Sequence, residues 1–398
     1  MTAGGGTGGL SAQPASAKVR WREERALEGH EGAVLAVRYN PDGRYCLTCG
    51  KDRTVRLWNP ATGLMIKSYV GHGREVRDVA VTSDNARLAS GGAERGVLLW
   101  DVAAGRVLRR FKGHDNQVNA VAFNEYDSVV VSGGYDRSVR VWDCRSHSTD
   151  AMQTMDPFSD AVTSLLLSAH CIVAASIDGS IATFDIRRGR LQVDELGREH
   201  PINCIAMSHD ANCLLAASLH STLRLLDRQS GEILNEYRGH VNEHYKLEAG
   251  LTRDDAYVVC GSEDGRLVAW DLVEGSVAGQ QQGAHKGVVT GLAFHPSDKQ
   301  MLSCSADGSR RAIHFQLSIS SPSSPSSSSS SSSSFSASAN ACSRADLLSL
   351  RFTAAAAMQS CSQRHTTTRT QGIGKGGGEG CGRVWTGMES GGGTWISE

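Results

Sequence analysis

The residues best suited to chemistry in this chain are a histidine, a hydroxyl and an acid that recur together. His30, Thr48 and Asp52 form one such set, and His114, Ser132 and Asp136 form another with the same spacing. A hydroxyl nucleophile, an imidazole base and an orienting carboxylate are what acyl transfer requires, provided an oxyanion hole lies beside them. Each set is followed by a tryptophan at a fixed offset, Trp58 in the first and Trp142 in the second. His72, Ser90 and Trp100 repeat the pattern with Glu94 in the acid's place. His240, Asp264 and Trp270 repeat it with Cys260 in the hydroxyl's place. A catalytic triad is needed once, whereas a constellation that keeps returning belongs to the frame. The expected role is therefore a structural relay. Buried imidazole and indole N–H groups need partners, and each costs about 1–3 kcal/mol when it lacks one.

The elements that must position these residues can be read from the period. Trp58-Asn59, Trp100-Asp101 and Trp142-Asp143 are 42 residues apart, and the same step reaches Phe184-Asp185 and Leu226-Asp227. Gly29-His30, Gly71-His72 and Gly113-His114 keep the same 42-residue step. Glu199-His200, Gly239-His240 and Ala284-His285 continue that series. Inside a unit the apolar residues alternate, as in Val118–Phe123 and Val139–Trp142, between turns such as Tyr135–Ser138. Alternation bounded by Gly, Asp and Ser is the mark of short strands and hairpins. Two markers sharing one period of this length identify WD-repeat blades. The fold predicted is all-β: a seven-bladed WD-repeat β-propeller with a disordered Ser/Gly-rich C-terminal tail. Blades four and five are weaker, with Ala174 and Ala216 in the hydroxyl position and His220 in the fifth blade's acid position.

The ends set the domain limits. Residues 1–17 read as a flexible segment, 18–317 as the propeller and 318–398 as a low-complexity disordered tail. Val19–Arg25 is placed to complete the last blade as an added strand. Blade seven opens with His285, Val288–Phe294 and Ser303, then loses its pattern: its third strand reads Ser309–His314, with Ile313 in the tryptophan position. The blade is expected to be incomplete or degraded. The abrupt loss of period after Gly308 is the mark of an alternative transcript or an erroneous gene model. Ser320–Ser334 consists only of Ser and Pro, a composition that cannot offset the entropy cost of folding. A transient helix is expected at Arg344–Gln359, and phosphorylation would make the serine run strongly acidic.

Bulk composition narrows the function. The net charge is -1, with 41 Lys+Arg against 42 Asp+Glu, so no global field favours nucleic acid or a membrane. No apolar run is long enough to span a bilayer, and the N-terminus lacks the basic and apolar regions of a secretory signal. The 11 cysteines are scattered, as expected of reduced thiols in cytoplasm or nucleus. Cys46 and Cys49 lie three apart, which on a strand puts them on opposite faces, and no second pair is near, so no metal site is expected. Gly372–Gly380 resembles a phosphate loop only faintly, because no strand precedes it and no helix follows. No catalytic, cofactor or metal residue is expected.

Binding residues concentrate in loops on a rigid frame. The face carrying the turn before each structural Asp supplies Lys51, Tyr135 and Glu263. Arg74, Gln117 and Tyr245 lie in the loops or strands after the Gly-His positions. Charge reversal of Lys51 and Arg74 should weaken partner capture if this face is used. Trp142-Asp-Cys-Arg145 fits a Trp-Asp-x-Arg box resembling the docking element of WD-repeat substrate receptors for cullin ubiquitin ligases, and Phe184-Asp-Ile-Arg187 echoes it. Arg145 and Arg187 would be the contacts to a ligase adaptor.

Several stretches resemble one family in particular. Asp42–Asp52 and Leu57-Trp-Asn-Pro60 are similar to its first blade, and Ser221–Asp227 with Gly231–His240 to its fifth. Glu243-His-Tyr-Lys-Leu247, Ser262–Gly265 and Trp270–Gly275 are similar to its sixth. The family is that of the mitogen-activated protein kinase organizer, or WD repeat domain-containing protein 83. The resemblance covers roughly residues 25–308. It implies a non-catalytic scaffold, a monomeric ring within larger complexes, gathering kinase-cascade components and splicing factors in cytoplasm and nucleus.

Overall fold

A computed structural model describes residues 19–168, 170–297, 299–306 and, as backbone only, 311–319. The flexible segment expected before residue 18, the phosphate-loop-like Gly372–Gly380 and the low-complexity tail from residue 320 lie outside the described residues; Ser318 and Ile319, expected in that tail, are paired as strand instead.

Among the described residues every element is a strand. Six sheets each take four consecutive antiparallel strands and are blades of a β-propeller. They span residues 34–70, 76–112, 118–155, 162–195, 202–238 and 249–281, and are called blades one to six. The strands are short because each crosses its sheet once before a Gly-, Asp- or Asn-bearing turn reverses it. In each blade the first strand is innermost and the fourth is the outer edge.

A further sheet mixes the two ends of the chain. Its order runs Val19–Glu28, Arg311–Ile319, Gln300–Ser305, Val289–Phe294. Val19 pairs with Ile319 and Glu28 with Arg311. The backbone of Arg311–Ile319 is thus paired on both sides, where the sequence pattern had failed. One expectation is corrected here. Trp58 lies opposite Cys46, two residues before Thr48. The corresponding position in this sheet, opposite Met301, is Phe315, whereas Ile313 lies opposite Ser303. The turn before the third strand is two residues longer than in blade one, so counting along the chain picked the wrong residue.

Blades meet face to face through apolar side chains. Leu47, Val55 and Tyr69 of blade one pack with Val79, Leu88 and Trp100 of blade two. Leu27, Ala293 and Leu302 of the mixed sheet pack with Val34, Val37 and Trp58 of blade one. On its other side Val19, Trp21 and Met301 pack with Val259, Leu267 and Ala278 of blade six. A four-stranded sheet alone leaves both faces wet; stacking covers them at roughly 25 cal/mol per Å² of apolar surface.

Bulges shape the inner edge. The register slips between Val34 and Ala36, Val76 and Asp78, Val118 and Ala120, Val162 and Ser164, Ile202 and Cys204, and Val289 and Gly291. A bulge leaves one residue out of the ladder and re-aims it. The freed residues reach the next sheet: Asn119 Nδ2 donates to Val162 O at 2.8 Å, Thr163 Oγ1 to Ile202 O at 2.7 Å and Thr290 Oγ1 to Val34 O at 2.7 Å.

Turns link neighbours too. His295 Nε2 lies 3.2 Å from Gly43 O. Gly43 has φ +75°, and a Cβ there would fall 2.1 Å from His295 Nε2. Gly43→Ala is expected to destabilise the protein by about 2 kcal/mol, from both clash and left-handed strain, measured by urea denaturation. An unchanged midpoint would mean that the mixed sheet does not pack tightly on blade one.

Candidate functional site

Three relays are assembled inside blades one to three. In blade one the Thr48 hydroxyl sits between two rings: His30 Nε2 at 2.6 Å and Trp58 Nε1, which donates to it at 2.7 Å. His30 Nδ1 meets Asp52 at 2.8 Å. In blade three Ser132 joins His114 Nε2 at 2.7 Å and Trp142 Nε1 at 2.8 Å, with Asp136 2.9 Å from His114 Nδ1. The Asp also accepts a backbone N–H from the loop after the His, from Glu31 in one case and Asp115 in the other. Burial disfavours both carboxylates, yet hydrogen bonds and charge from His30 and His114 hold Asp52 and Asp136 well below the usual carboxylate range.

Blade two keeps half of this. Ser90 joins His72 Nε2 at 2.7 Å and Trp100 Nε1 at 2.8 Å. Glu94 is one methylene longer than Asp, so its carboxylate reaches past the ring to the backbone N–H groups of Gly73 and Arg74. Glu94 stays 3.8 Å from His72 Nδ1, which has no hydrogen-bond partner.

Blade six departs from the expected relay. His240, Asp264 and Trp270 are not joined. Cys260 is a weak acceptor, and Trp270 Nε1 instead donates to Arg238 O at 2.9 Å. Asp264 turns to Arg266, whose Nε donates to it at 2.7 Å. Both His240 nitrogens lack partners, and the ring packs edge-on to Trp270 with centroids 5.5 Å apart. In blades four and five Ala174 and Ala216 are core residues.

These histidines are sealed from solvent. His30 and Thr48 are each 1% exposed, so no substrate reaches them. Cys46 and Cys49 are buried in different core clusters, and burial pushes both thiols up. No group of three potential ligands able to hold a metal occurs among the described residues.

Polar chemistry outside the relays lies at the axis, where Asp78 and Glu248 are buried, and in the loops. Arg38 Nη2 donates to Asp78 at 2.8 Å and to Glu248 at 2.5 Å, tying blades one, two and six. Glu248 also accepts Leu292 N at 3.0 Å, and Asp78 accepts Val121 N at 3.0 Å. Lys246 crosses the axis, donating to Thr163 O at 2.7 Å and Asn119 O at 3.3 Å. Cavities of about 540 and 410 Å³ open on either side of this layer. The smaller is lined by Lys51, Arg77, His244 and Tyr245. Charged residues in otherwise apolar inner strands were the signal for this network.

Lys51, Arg74, Tyr135 and Tyr245 are exposed, and Gln117 is half-buried. Antiparallel order puts all five at one end of the blades, called the upper face, with Glu263. Glu263 is half-buried and caps a loop: its carboxylate accepts the N–H groups of Glu243, His244 and Tyr245 at 2.7–3.0 Å. Arg145 and Arg187 follow third strands and lie on the lower face, both exposed. Sequence reading passed over Arg53, Arg95 and Arg137, which follow the relay acids directly and are exposed.

Comparison with known proteins agrees with this architecture. A family model described as Nucleolar protein 10-like, N-terminal domain, matches residues 40–249, and one described as WD domain, G-beta repeat, matches residues 279–309. The chain is 54% identical to WD repeat domain-containing protein 83 of Rattus norvegicus over 290 residues, covering 73% of this chain and 91% of that protein. The Homo sapiens protein of the same name is 54% identical over 278 residues, covering 70% and 87%. A Dictyostelium discoideum homolog is 32% identical over 311 residues, covering 71% and 95%.

Two expectations follow. Thr48→Val keeps the shape but strands two ring nitrogens and should cost about 2–4 kcal/mol, whereas His240→Phe, which removes two orphaned nitrogens, should be neutral or stabilising; chemical denaturation compares them. Burial lowers the His72 and His240 pKa from 6.5 to about 4. The unfolded chain therefore binds more protons between these values, and stability should fall as pH drops from about 6.5 to 4. His240→Phe should flatten that slope in thermal melts; an unaltered slope would show that His240 titrates normally.

Proposed function

Because this chain belongs to the family of WD repeat domain-containing protein 83, we propose that it is a non-catalytic scaffold on which other proteins assemble. The observation that carries this reading is where the polar chemistry lies. The relay residues are consumed inside the blades, while exposed side chains lie in the loops of two faces and along the outer fourth strands. Rigid sheets presenting loops suit multivalent binding. In this reading the mixed sheet is the seventh blade, and pairing of the two chain ends closes the ring.

The resemblance of blades one, five and six supports more specific clients: components of a mitogen-activated protein kinase cascade and of pre-mRNA splicing complexes, met in cytoplasm and nucleus. A second reading, a cullin-ligase substrate receptor, is favoured by one observation. Arg145 and Arg187 stand exposed at the same position of adjacent blades, as a bidentate contact to a partner requires.

Affinity capture with the full chain, read by mass spectrometry, separates these. Kinase-cascade or splicing proteins should be recovered, and recovery should persist in an Arg145→Ala/Arg187→Ala variant. Recovery of cullin adaptors, lost in that variant, would replace the scaffold reading with the receptor one. Lys51→Glu/Arg74→Glu should reduce client recovery; full recovery would take the upper face out of the reading.

A further inference from the structure

We propose that the upper face over blades one to three binds an extended acidic segment of a partner protein, its charge supplied by glutamate and aspartate side chains. The inference deepens the scaffold reading, on which it rests, by giving one face a partner chemistry.

Exposed cations crowd one arc of this face, while Arg198 and Lys286 stand singly in the loops before the inner strands of blade five and the mixed sheet. Lys51, Arg53, Arg74, Arg95 and Arg137 occupy the turns after second strands, or the loops before inner strands, of blades one to three, and all are exposed. Among the described residues none of them makes an ion pair. At the turn position after the acid, blades four, five and six carry Gly179, Ser221 and Gly265 instead. A cation at this turn position is thus a property of blades one to three, not of the repeat.

The backbone shows that these arginines are retained against a local preference. Gly179 and Gly265 have φ +82°, a left-handed conformation that glycine adopts freely. Arg53 and Arg137 hold the equivalent position at φ +67°. A bulky residue is strained there, and such outliers cluster where a side chain is needed for binding. Glycine would serve the turn better, so the turn does not explain the arginine.

The cations are also tied together. Arg53 Nη1 lies 3.5 Å from Gly73 O. Gly73 and Arg74 are held through their N–H groups by Glu94, the neighbour of Arg95. Blades one and two therefore present Arg53, Arg74 and Arg95 on one linked set of loops. Lys51 and Tyr245 both line the 410 Å³ cavity, which offers a pocket for one side chain of a passing segment.

Spacing favours a peptide over nucleic acid. Exposed carboxylates of Glu31 and Asp115 interrupt the arc. A polyphosphate backbone carries charge at every step and would meet them. A peptide can place neutral residues there and carboxylates opposite the arginine forks.

The test uses the full chain and a fluorescein-labelled peptide of alternating Glu and Gly-Ser units, about 15 residues long and reaching roughly 50 Å. Fluorescence anisotropy at about 50 mM salt should show saturable binding that weakens as salt rises. Arg53→Gly/Arg137→Gly should weaken it by about tenfold, with Tm unchanged or raised because glycine relieves the turn. No saturable binding, or equal binding by that variant, would overturn the proposal. So would tighter binding of an oligouridylate of similar length. If the variant loses the peptide yet captures the same proteins from extract, clients use another surface and the proposal fails while the scaffold reading stands. Loss of peptide and clients together supports both.

Discussion

A single hydroxyl on the second strand of a blade, held between an imidazole and an indole, organises the first three blades. Thr48, Ser90 and Ser132 each satisfy two ring nitrogens whose burial without a partner would cost about 1–3 kcal/mol apiece. The bond to Trp fixes the third strand to the second. The bond to His brings in the loop that precedes the inner strand. Where Asp follows, as in blades one and three, the same chain of bonds reaches the backbone of that loop. Loop position at the upper face therefore depends on a contact deep inside the sheet. Blade six lacks the hydroxyl, and its loop is held from above instead, by Glu263 gripping three successive N–H groups.

A second constraint acts at the axis. Six inner strands bulge at the same point, so side chains cross from one sheet to the next. Arg38, bound to Asp78 and Glu248, links three blades at once. Apolar faces supply most of the adhesion between blades, but hydrophobic burial is non-directional. The directional bonds at the axis and the turn contacts such as His295 with Gly43 fix the stagger.

The blades were legible in the sequence because they repeat: a fixed offset from His to hydroxyl to Trp survives any loop variation outside it. That logic failed where residue type or spacing changed locally. Cys260 occupies the hydroxyl's place without its strength as an acceptor, so His240, Asp264 and Trp270 look like a relay and are not one. Two extra residues in one turn moved the tryptophan position from Ile313 to Phe315. The capping bonds of Glu263 were not legible because its partners are backbone groups, which no side-chain pattern records. The network of Arg38, Asp78, Glu248 and Lys246 joins residues up to 210 positions apart; only the fold brings them together.

The pairing of Val19–Glu28 with Arg311–Ile319 also sets an order of events during synthesis. The first strand to leave the ribosome has its partner made roughly 290 residues later, a delay on the order of 15–60 s at ordinary elongation rates. Blades one to six are local in sequence and can form as they emerge. Val19–Glu28 cannot, and its exposed edge waits through most of translation. The last step of folding is thus a long-range closure, the slowest kind by contact order. A stop codon between blade six and Arg311 would leave blades one to six made and Val19–Glu28 without its partner.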